Sequence, residues 1–322
     1  MLNPNDFKEK QILFIDPKEG DGKLGLRIQN SNLVLTKDGK ATNKISLHNI
    51  LSVFVVGDMT ITTKLIEAIT KHGASIYFLK RNFSVYASFG ANAEANYLAR
   101  VRQYEMPKDK ELELAKFIVV NKIKNQARLL NIQKTSRYKE AIQNAKNAQD
   151  FKSLLGVEGN FSSIFFKEYF KDIGWRRRAP RTREDIPNLL LDIGYTILFN
   201  FLDSILRLYG LDLYKGVYHR QFFARKSLVT DIQEPFRSII DKTMLKGYRL
   251  GIINENDFEF DRKKLEFVLP WKHASKYYKL FAEEIMERKM EIFDFILAFY
   301  RHIMMPEKNK LKEFNINKNY NK

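Results

Sequence analysis

The chain has 322 residues, of which 44% are hydrophobic and 13% aromatic, which is enough apolar material for more than one buried core. It contains no cysteine, which excludes disulfides, thiolate zinc sites, iron–sulfur clusters and a cysteine nucleophile, so any metal must be bound by oxygen or imidazole. With 55 Lys and Arg against 38 Asp and Glu, the net charge of +17 predicts a polyanionic partner, and nucleic acid fits better than a membrane.

The first part of the chain, from Gln11 to about Phe89, shows short apolar alternations separated by turn residues, which is typical of strands. An Asp-Gly pair at 38–39 predicts a tight hairpin turn. One short helix interrupts the strands, because apolar residues from Ile61 to Ile69 fall at helical spacing and Gly73 can end the helix in the left-handed conformation. We therefore predict a small β-rich domain over residues 1–89.

From Leu112 onward the apolar residues recur with a period of 3.6, which predicts helices. Residues 90–110, where Ala- and Asn-rich sequence gives way to charge, are predicted to form a linker, and 111–305 an α-helical domain. The Lys- and Asn-rich segment 306–322 has little to bury and is predicted to be disordered. The predicted fold class is α+β with two domains, a small N-terminal β-rich domain followed by a larger all-α C-terminal catalytic domain.

Several other classes of protein can be set aside. No window of eighteen residues is uninterruptedly apolar, and the first ten residues lack the pattern of a signal peptide, so we expect a cytoplasmic protein without a membrane partner. The sequence has no GxxxxGK[ST] phosphate loop, no GxSxG elbow and no HExxH helix.

One histidine, His219, lies among other residues suited to chemistry. It belongs to the run GVYHRQFFARKSLVTDIQEPFR over 216–237, which continues to Asp231 and Glu234. The two acids are three residues apart, so on a helix beginning near Ser227 they would project from one face. Spacing alone leaves two interpretations open: a metal site, or a helix capped by the two acids beside an ordinary loop histidine.

A second candidate is Glu158, which lies between Gly156 and Gly159 just before the apolar run FSSIFFKEYF. Glycine permits a phosphate backbone to approach closely, and an acid in that setting is well placed for a metal. The alternative is a helix entry with an exposed glutamate.

The third candidate is the arginine loop, which we define as WRRRAPRTRED over 175–185. Guanidinium forks on phosphates are the expected footprint of nucleic-acid binding, although a solvated basic loop is the alternative. The arginines predicted to bind DNA are Arg176, Arg177, Arg178, Arg181 and Arg183.

In combination, these features resemble the CRISPR-associated Cas1 family of spacer-acquisition integrases. The resemblance covers nearly the whole chain up to about Phe299 and lies in five blocks: VFVVGDMTITTKLIEAITKHGASIYFL, LAKFIVVNKIKNQARLL, GVEGNFSSIFF, the arginine loop leading into IPNLLLDIGYTIL, and GVYHRQFFARKSLVTDIQEPFR. It implies that Glu158, His219 and Glu234 are both the metal ligands and the catalytic residues. Adjacent to these ligands it places Asp231, Tyr195 and Asn188. Further DNA contacts implied beside them are Arg225, Lys226 and Arg237.

The resemblance also implies a function. It is that of a metal-dependent DNA endonuclease and integrase of CRISPR adaptation, an antiviral defence, in which Mg²⁺ or Mn²⁺ assists attack of a DNA 3′-hydroxyl on a phosphodiester at the repeat boundary. The implied assembly is a homodimer, with the β-rich domain for dimerisation, together with a dimer of a small partner, Cas2. Two alternatives remain: a non-catalytic DNA-binding scaffold, and a recombinase with a tyrosine nucleophile such as Tyr195.

Overall fold

The computed structural model describes residues 9–17, 22–80, 84–90, 96–219 and 223–318. The chain divides into two compact units. The first unit comprises Met1–Tyr97 and Asp203–Leu211, and the second comprises Leu98–Leu202 and Asp212–Lys322. Each unit has its own buried core.

The first unit contains two sheets and one helix. The strands in chain order are β1 (Gln11–Ile15), β2 (Leu24–Gln29), β3 (Asn32–Lys37), β4 (Lys40–Ser46), β5 (Ile50–Val56), β6 (Ser75–Leu79) and β7 (Val85–Phe89), and the helix is α1 (Thr63–Lys71). One sheet has the order β1-β5-β6-β7, with the first two pairings parallel and the third antiparallel. The other is the antiparallel sheet β2-β3-β4.

The turn residues of this unit behave as the sequence predicts. Asp38 and Gly39 have φ angles of +49° and +80° and join β3 to β4, in the conformation that an Asp-Gly pair favours. Thr62 caps the start of α1 by accepting from the N–H of Leu65, and Gly73 follows its end with a φ of +78°. Every residue of β5 is buried, as expected for a central strand paired on both sides.

The second unit is mostly helical. Its helices, with the long helix that ends in the first unit, are α2 (Tyr97–Tyr104), α3 (Lys108–Leu130), α4 (Ser136–Asn147), α5 (Phe151–Tyr169), α6 (Ile186–Arg207), α7 (Ser227–Gln233), α8 (Arg237–Arg249), α9 (Trp271–Glu287) and α10 (Lys289–Met304). A two-stranded hairpin of β8 (Glu259–Asp261) and β9 (Glu266–Val268) interrupts them. The domain predicted to be all-α therefore carries one small β element.

One predicted boundary segment differs from the structure, and one helix is unusually apolar. The segment 90–110, predicted to be a linker, contains the whole of α2 and the start of α3. Helix α6 is long and apolar enough to cross a membrane by length and composition alone, but 83% of its most apolar window is buried in the structure. Its apolarity is that of a core helix.

The predicted disorder of the tail is wrong for residues 306–318. Phe314 and Ile316 are only 2% and 1% exposed. The side chain of Asn121 on α3 donates to the Phe314 carbonyl at 2.9 Å and accepts from its N–H at 3.0 Å, while Arg288 donates to the Ile316 carbonyl at 2.9 Å. Side chains thus form the hydrogen bonds with the N–H and C=O groups of this segment that a neighbouring strand would form in a sheet. Residues 319–322 lie outside the described part of the chain.

Candidate metal centre

Glu158 lies in the middle of α5, not at a helix entry. The helix begins at a capping box, in which Asp150 accepts from the Ser153 N–H at 2.7 Å. Ser162, one turn after Glu158, donates its hydroxyl to Glu158 Oε1 at 3.0 Å. A Cβ placed on Gly156 or Gly159 would meet no atom within 4 Å, so packing does not require either glycine and the helix surface beside Glu158 is open.

Lys122 connects this helix to the other acid of the site. It lies on α3 and is only 8% exposed. Its Nζ atom contacts Glu158 Oε1 and lies 2.6 Å from Glu234 Oε2. Two carboxylates from distant parts of the sequence therefore converge on a single cation. Sequence reasoning missed Lys122, although the block LAKFIVVNKIKNQARLL contains it.

Glu234 owes its position to a break in the helix that was predicted to begin near Ser227. Pro235 lacks an N–H, and the chain makes one 3₁₀ turn over Glu234–Phe236 between α7 and α8. No side chain caps the start of α7, contrary to the capping that the sequence suggested. The turn directs Glu234 toward Lys122 and toward Arg237, whose Nε lies 3.1 Å from Glu234 Oε1.

Glu234 is ionised in this setting. Burial opposes its ionisation, but the adjacent Arg237 and Lys122 charges outweigh burial and lower the pKa of Glu234 to about 2. Glu234 Oε2 is buried and accepts no hydrogen bond of good geometry among the described residues, but the Lys122 ammonium lies 2.6 Å from it. A metal ion that approached this oxygen would therefore meet the Lys122 ammonium.

His219 is held by Asp231, which is fully buried on α7. Asp231 accepts from the backbone N–H groups of Val217, Tyr218 and His219 at 2.7, 3.0 and 2.9 Å, and its Oδ1 lies 2.6 Å from His219 Nδ1. The carboxylate therefore secures the histidine loop and does not cap its own helix. Gly216 is necessary for this approach, because a Cβ there would lie 2.6 Å from Asp231 Oδ2.

Tyr218 lies close to the acids of both sequence blocks of the site. Burial raises the pKa of its phenol, and the charges of Glu158, Glu234 and Asp231 raise it further. Its hydroxyl is buried without a hydrogen-bond partner among the described residues, and its ring packs at 4.9 Å against the His219 ring. Sequence reasoning did not single out Tyr218, since a tyrosine beside a histidine carries no signal of its own.

The donor set fits a divalent cation. Within the described ranges no three His, Asp or Glu side chains stand close enough to hold a metal ion, and the Lys122 ammonium contacts both Glu158 and Glu234. Two carboxylates and one imidazole are nevertheless ligands that Mg²⁺ or Mn²⁺ accepts. The carboxylates already share a cation of lower charge.

Tyr195 and Asp241 form a buried pair next to this centre. The Tyr195 hydroxyl donates to Asp241 Oδ1 at 2.5 Å, and the Arg237 guanidinium lies 4.7 Å from the Tyr195 ring centroid. Burial raises the pKa of Tyr195 well above its usual value and the pKa of Asp241 to about 7. The Tyr195 hydroxyl is therefore a packed, protonated group, which opposes a role as nucleophile.

The arginine loop divides into structural and exposed members. Asn188 is fully buried and accepts from Arg178 Nη1 at 2.9 Å, while Asp192 pairs with the same guanidinium at 2.5 Å. Arg183 pairs with Glu266 at 3.3 Å. The arginines of the loop that are exposed are Arg176, Arg177 and Arg181, of which Arg177 pairs with Glu184.

The remaining residues predicted to contact DNA also divide. Arg225 is exposed and Lys226 half-buried, both just before α7. The side chain of Arg237 is only 25% exposed, because it pairs with Glu234 and stacks on Tyr195. Arg220 to Phe222 lie outside the described residues, so the loop after His219 is defined only from Phe223 onward.

A family model matches most of the chain. The family model described as CRISPR associated protein Cas1 matches residues 22–283. The chain belongs to the Cas1 family. A CRISPR-associated endonuclease Cas1 of Thermodesulfovibrio yellowstonii is 26% identical over 311 residues, which cover 91% of this chain and 96% of that protein. A second Cas1 endonuclease, from Thermus thermophilus, is 28% identical over 263 residues, 75% of this chain and 79% of its own.

Solved structures share the fold. A Cas1 protein from Thermotoga maritima superposes with a TM-score of 0.78 at 20% identity, and the match covers 92% of this chain and 97% of that one. A casposase bound to its integration product gives a TM-score of 0.79 at 19% identity, over 96% and 95% of the two chains. The predicted fold class, N-terminal strands followed by a mostly helical region, is confirmed.

Proposed function

We propose that this protein is a metal-dependent DNA integrase and nuclease of CRISPR adaptation, which inserts short DNA fragments as new spacers into a repeat array. Membership of the Cas1 family supports DNA strand transfer, and the curated relatives are named endonucleases. The observation that carries the proposal is the convergence of Glu158 and Glu234 on one cation, beside a histidine whose ring is oriented by Asp231.

The proposed cofactor is Mg²⁺ or Mn²⁺, held by Glu158, His219 and Glu234. Bound there, the ion would act as a Lewis acid that stabilises negative charge on the attacked phosphate. The ionised Glu234 supplies a ligand oxygen without loss of a proton at neutral pH, because its pKa is held at about 2. Asp231 keeps the His219 ring in the tautomer whose Nε2 lone pair is available.

The proposed reaction exchanges one phosphodiester bond for another. The 3′-hydroxyl oxygen of the fragment forms a bond to phosphorus at the repeat boundary, the bond from phosphorus to the leaving 3′-oxygen breaks, and the hydroxyl proton is transferred to that oxygen or to solvent. Water in place of the 3′-hydroxyl gives hydrolysis, the nuclease activity. The chain positions the DNA, which is the larger part of catalysis in an exchange of equivalent bonds.

The proposed DNA contacts are the exposed arginines. With a net charge of +17, the surface attracts a polyanion from a distance. Arg176, Arg177 and Arg181 extend from a loop that Asn188 and Asp192 fix in place. Such guanidinium groups would bind phosphates, and so would the exposed Arg225.

The proposed assembly follows the solved relatives. One structure with this fold is a casposase bound to an integration product, and another is a complex of a Cas6-RT-Cas1 protein with Cas2. We propose that this chain works in the cytoplasm as a homodimer through its β-rich unit, and that a dimer of Cas2 joins two such dimers across the DNA fragment.

The test is strand joining by the full-length protein with Mn²⁺ and a DNA fragment carrying free 3′-hydroxyl ends. We expect His219→Ala to abolish joining while DNA binding persists. His273→Ala is the matched control, since His273 also lies beside a carboxylate, Asp257, at 3.4 Å. Full activity of His219→Ala would refute the site. Absence of any metal binding or chelator effect in the wild-type protein would instead favour the non-catalytic scaffold.

A further inference from the structure

Lys122 is a buried cation that the proposed reaction does not use. The residue is 8% exposed, yet its ammonium contacts both carboxylates that are proposed to hold the metal. Two carboxylates face the amine of Lys122, and this contact favours its charged form. A charged ammonium therefore lies where the proposed function requires a divalent ion.

The local charges balance in this arrangement. Glu158 and Glu234 contribute two negative charges, and Lys122 and Arg237 contribute two positive charges. Without the ammonium, Glu234 would keep its ion pair with Arg237, but Glu158 would lose the ion pair that the structure gives it, and unpaired buried charge is strongly destabilising. The ammonium thus allows the two acids to face each other in the folded protein before any metal arrives.

The backbone that carries Lys122 is fixed on both sides. Asn121 is tied to Phe314 by two hydrogen bonds at 2.9 and 3.0 Å, and Gln126, one turn after Lys122, donates to Ser162 at 3.4 Å. The ammonium of lysine is carried on a flexible chain of four carbons, so it can move while the helix stays in place. Departure of the ammonium therefore needs a change of rotamer and no shift of α3.

We propose that Lys122 is the built-in counter-ion of the metal-free centre: its ammonium holds Glu158 and Glu234 in their places and is displaced when a divalent cation binds. This inference rests on the proposed function. It makes Lys122 a positioning residue that competes with the metal for the same two carboxylates. The affinity of the site for metal is therefore lower than it would be if Glu158, His219 and Glu234 had no ammonium beside them.

The test is the affinity of the full-length protein for Mn²⁺, measured by calorimetry and by the electron paramagnetic resonance of free Mn²⁺. Lys122→Met retains the length of the side chain and removes its charge. We expect Lys122→Met to bind Mn²⁺ at least about tenfold more tightly than the wild type, because loss of a positive charge a few ångströms away favours a divalent ion. Lys122→Arg, which retains the charge, is expected to bind no more tightly than the wild type.

The matched control is Lys124→Met, on the same helix. Lys124 pairs with Glu313 at 2.5 Å. The Lys124→Met variant is expected to bind Mn²⁺ with the affinity of the wild type. Unchanged or weaker Mn²⁺ binding by Lys122→Met would overturn the inference. If Lys122→Met does not fold in the absence of metal, Mn²⁺ is expected to restore folding, and a failure to restore it would equally overturn the inference.

The outcome also separates this inference from the proposed function. If the metal site itself is wrong, the wild type and His219→Ala will bind Mn²⁺ equally, or neither will bind it. If only the role of Lys122 is wrong, the wild type will bind Mn²⁺ through His219 and the Lys122→Met variant will gain nothing.

Discussion

Asp231 accepts hydrogen bonds from both the backbone N–H and the ring Nδ1 of His219, at 2.9 and 2.6 Å. Because an ionised carboxylate only accepts, a ring proton lies on Nδ1, and in the neutral ring the lone pair is then on Nε2. A carboxylate that fixes the tautomer of a histidine in this way is typical of metal-binding histidines. The orientation of the proposed ligand thus depends on a residue that would not touch the metal.

Asp231→Asn is the first test of this relationship. Asparagine has one carbonyl oxygen and one NH₂ group, so its NH₂ group must face an N–H group that now donates to Asp231. His219 is therefore expected to lose its fixed orientation. We expect Mn²⁺ affinity and strand joining to fall by about 10- to 100-fold. Asp192→Asn is the control for Mn²⁺ affinity, because Asp192 also accepts from a backbone N–H, that of Arg181 in the arginine loop. Wild-type Mn²⁺ affinity in Asp231→Asn would contradict the account.

The pH dependence of stability tests the buried Asp241. Burial raises its pKa to about 7, whereas an aspartate in an unfolded chain titrates near pH ~4. The folded state therefore binds the proton more tightly, and the free energy of unfolding is expected to fall as pH rises from about 4 to 7, by at most about 4 kcal/mol.

Asp241→Asn removes this titrating group, so the free energy of unfolding of the variant is expected to change less between pH about 4 and 7 than that of the wild type. Both tryptophans of the chain, Trp175 and Trp271, lie in the second unit, so their fluorescence during urea unfolding reports on the unit that holds Asp241. Asp58→Asn, at an exposed position of the first unit, is the control and should leave the profile unchanged. An equally steep profile in Asp241→Asn would show that another group is responsible.

The packed tail gives a third prediction. The Phe314 ring is buried, with its centroid 4.8 Å from that of Phe236, and Arg288 lies 4.9 Å from it. Phe314→Ala is expected to lower the free energy of unfolding by about 3–5 kcal/mol, since it removes a large buried ring. Phe223→Ala, at a ring that is 94% exposed, should change it by less than about 0.5 kcal/mol. Equal stability of the two variants would mean that the tail does not dock.

The arginine loop gives a fourth prediction, for the salt dependence of DNA binding. Loss of one phosphate contact reduces the slope of log affinity against log salt by about one. We expect this reduction in Arg176→Ala and in Arg181→Ala, whose side chains are exposed. Arg178→Ala is expected chiefly to destabilise the loop, because Asp192 and Asn188 would lose their shared partner. If the exposed variants left the slope unchanged, the loop would not be the DNA contact.

Periodicity in the sequence predicted the architecture because burial on one face leaves a regular trace. Strands from Gln11, the Asp-Gly turn at 38–39 and helical spacing from Leu112 are all present in the structure. The tail escaped prediction because its composition is polar. The backbone of Phe314 is hydrogen-bonded by Asn121, 193 positions away, and that of Ile316 by Asn125 and Arg288.

The candidate site was predictable only in part. Glu158, His219 and Glu234 could be identified by the family resemblance, and the acid pair by its spacing. Lys122 could not, because a lysine in a helix is normally exposed, and its burial results from the approach of Glu158, 36 residues later, and of Glu234. The division of the arginine loop likewise depends on Asp192 and Glu266, whose proximity is a property of the folded chain.

The most direct test of the central claim is anomalous diffraction from crystals of the full-length protein grown with Mn²⁺. The account predicts one manganese peak within about 2.3 Å of His219 Nε2 and of carboxylate oxygens of Glu158 and Glu234, with the Lys122 ammonium moved away from both acids. A manganese peak elsewhere, or no peak while Lys122 still bridges Glu158 and Glu234, would contradict it.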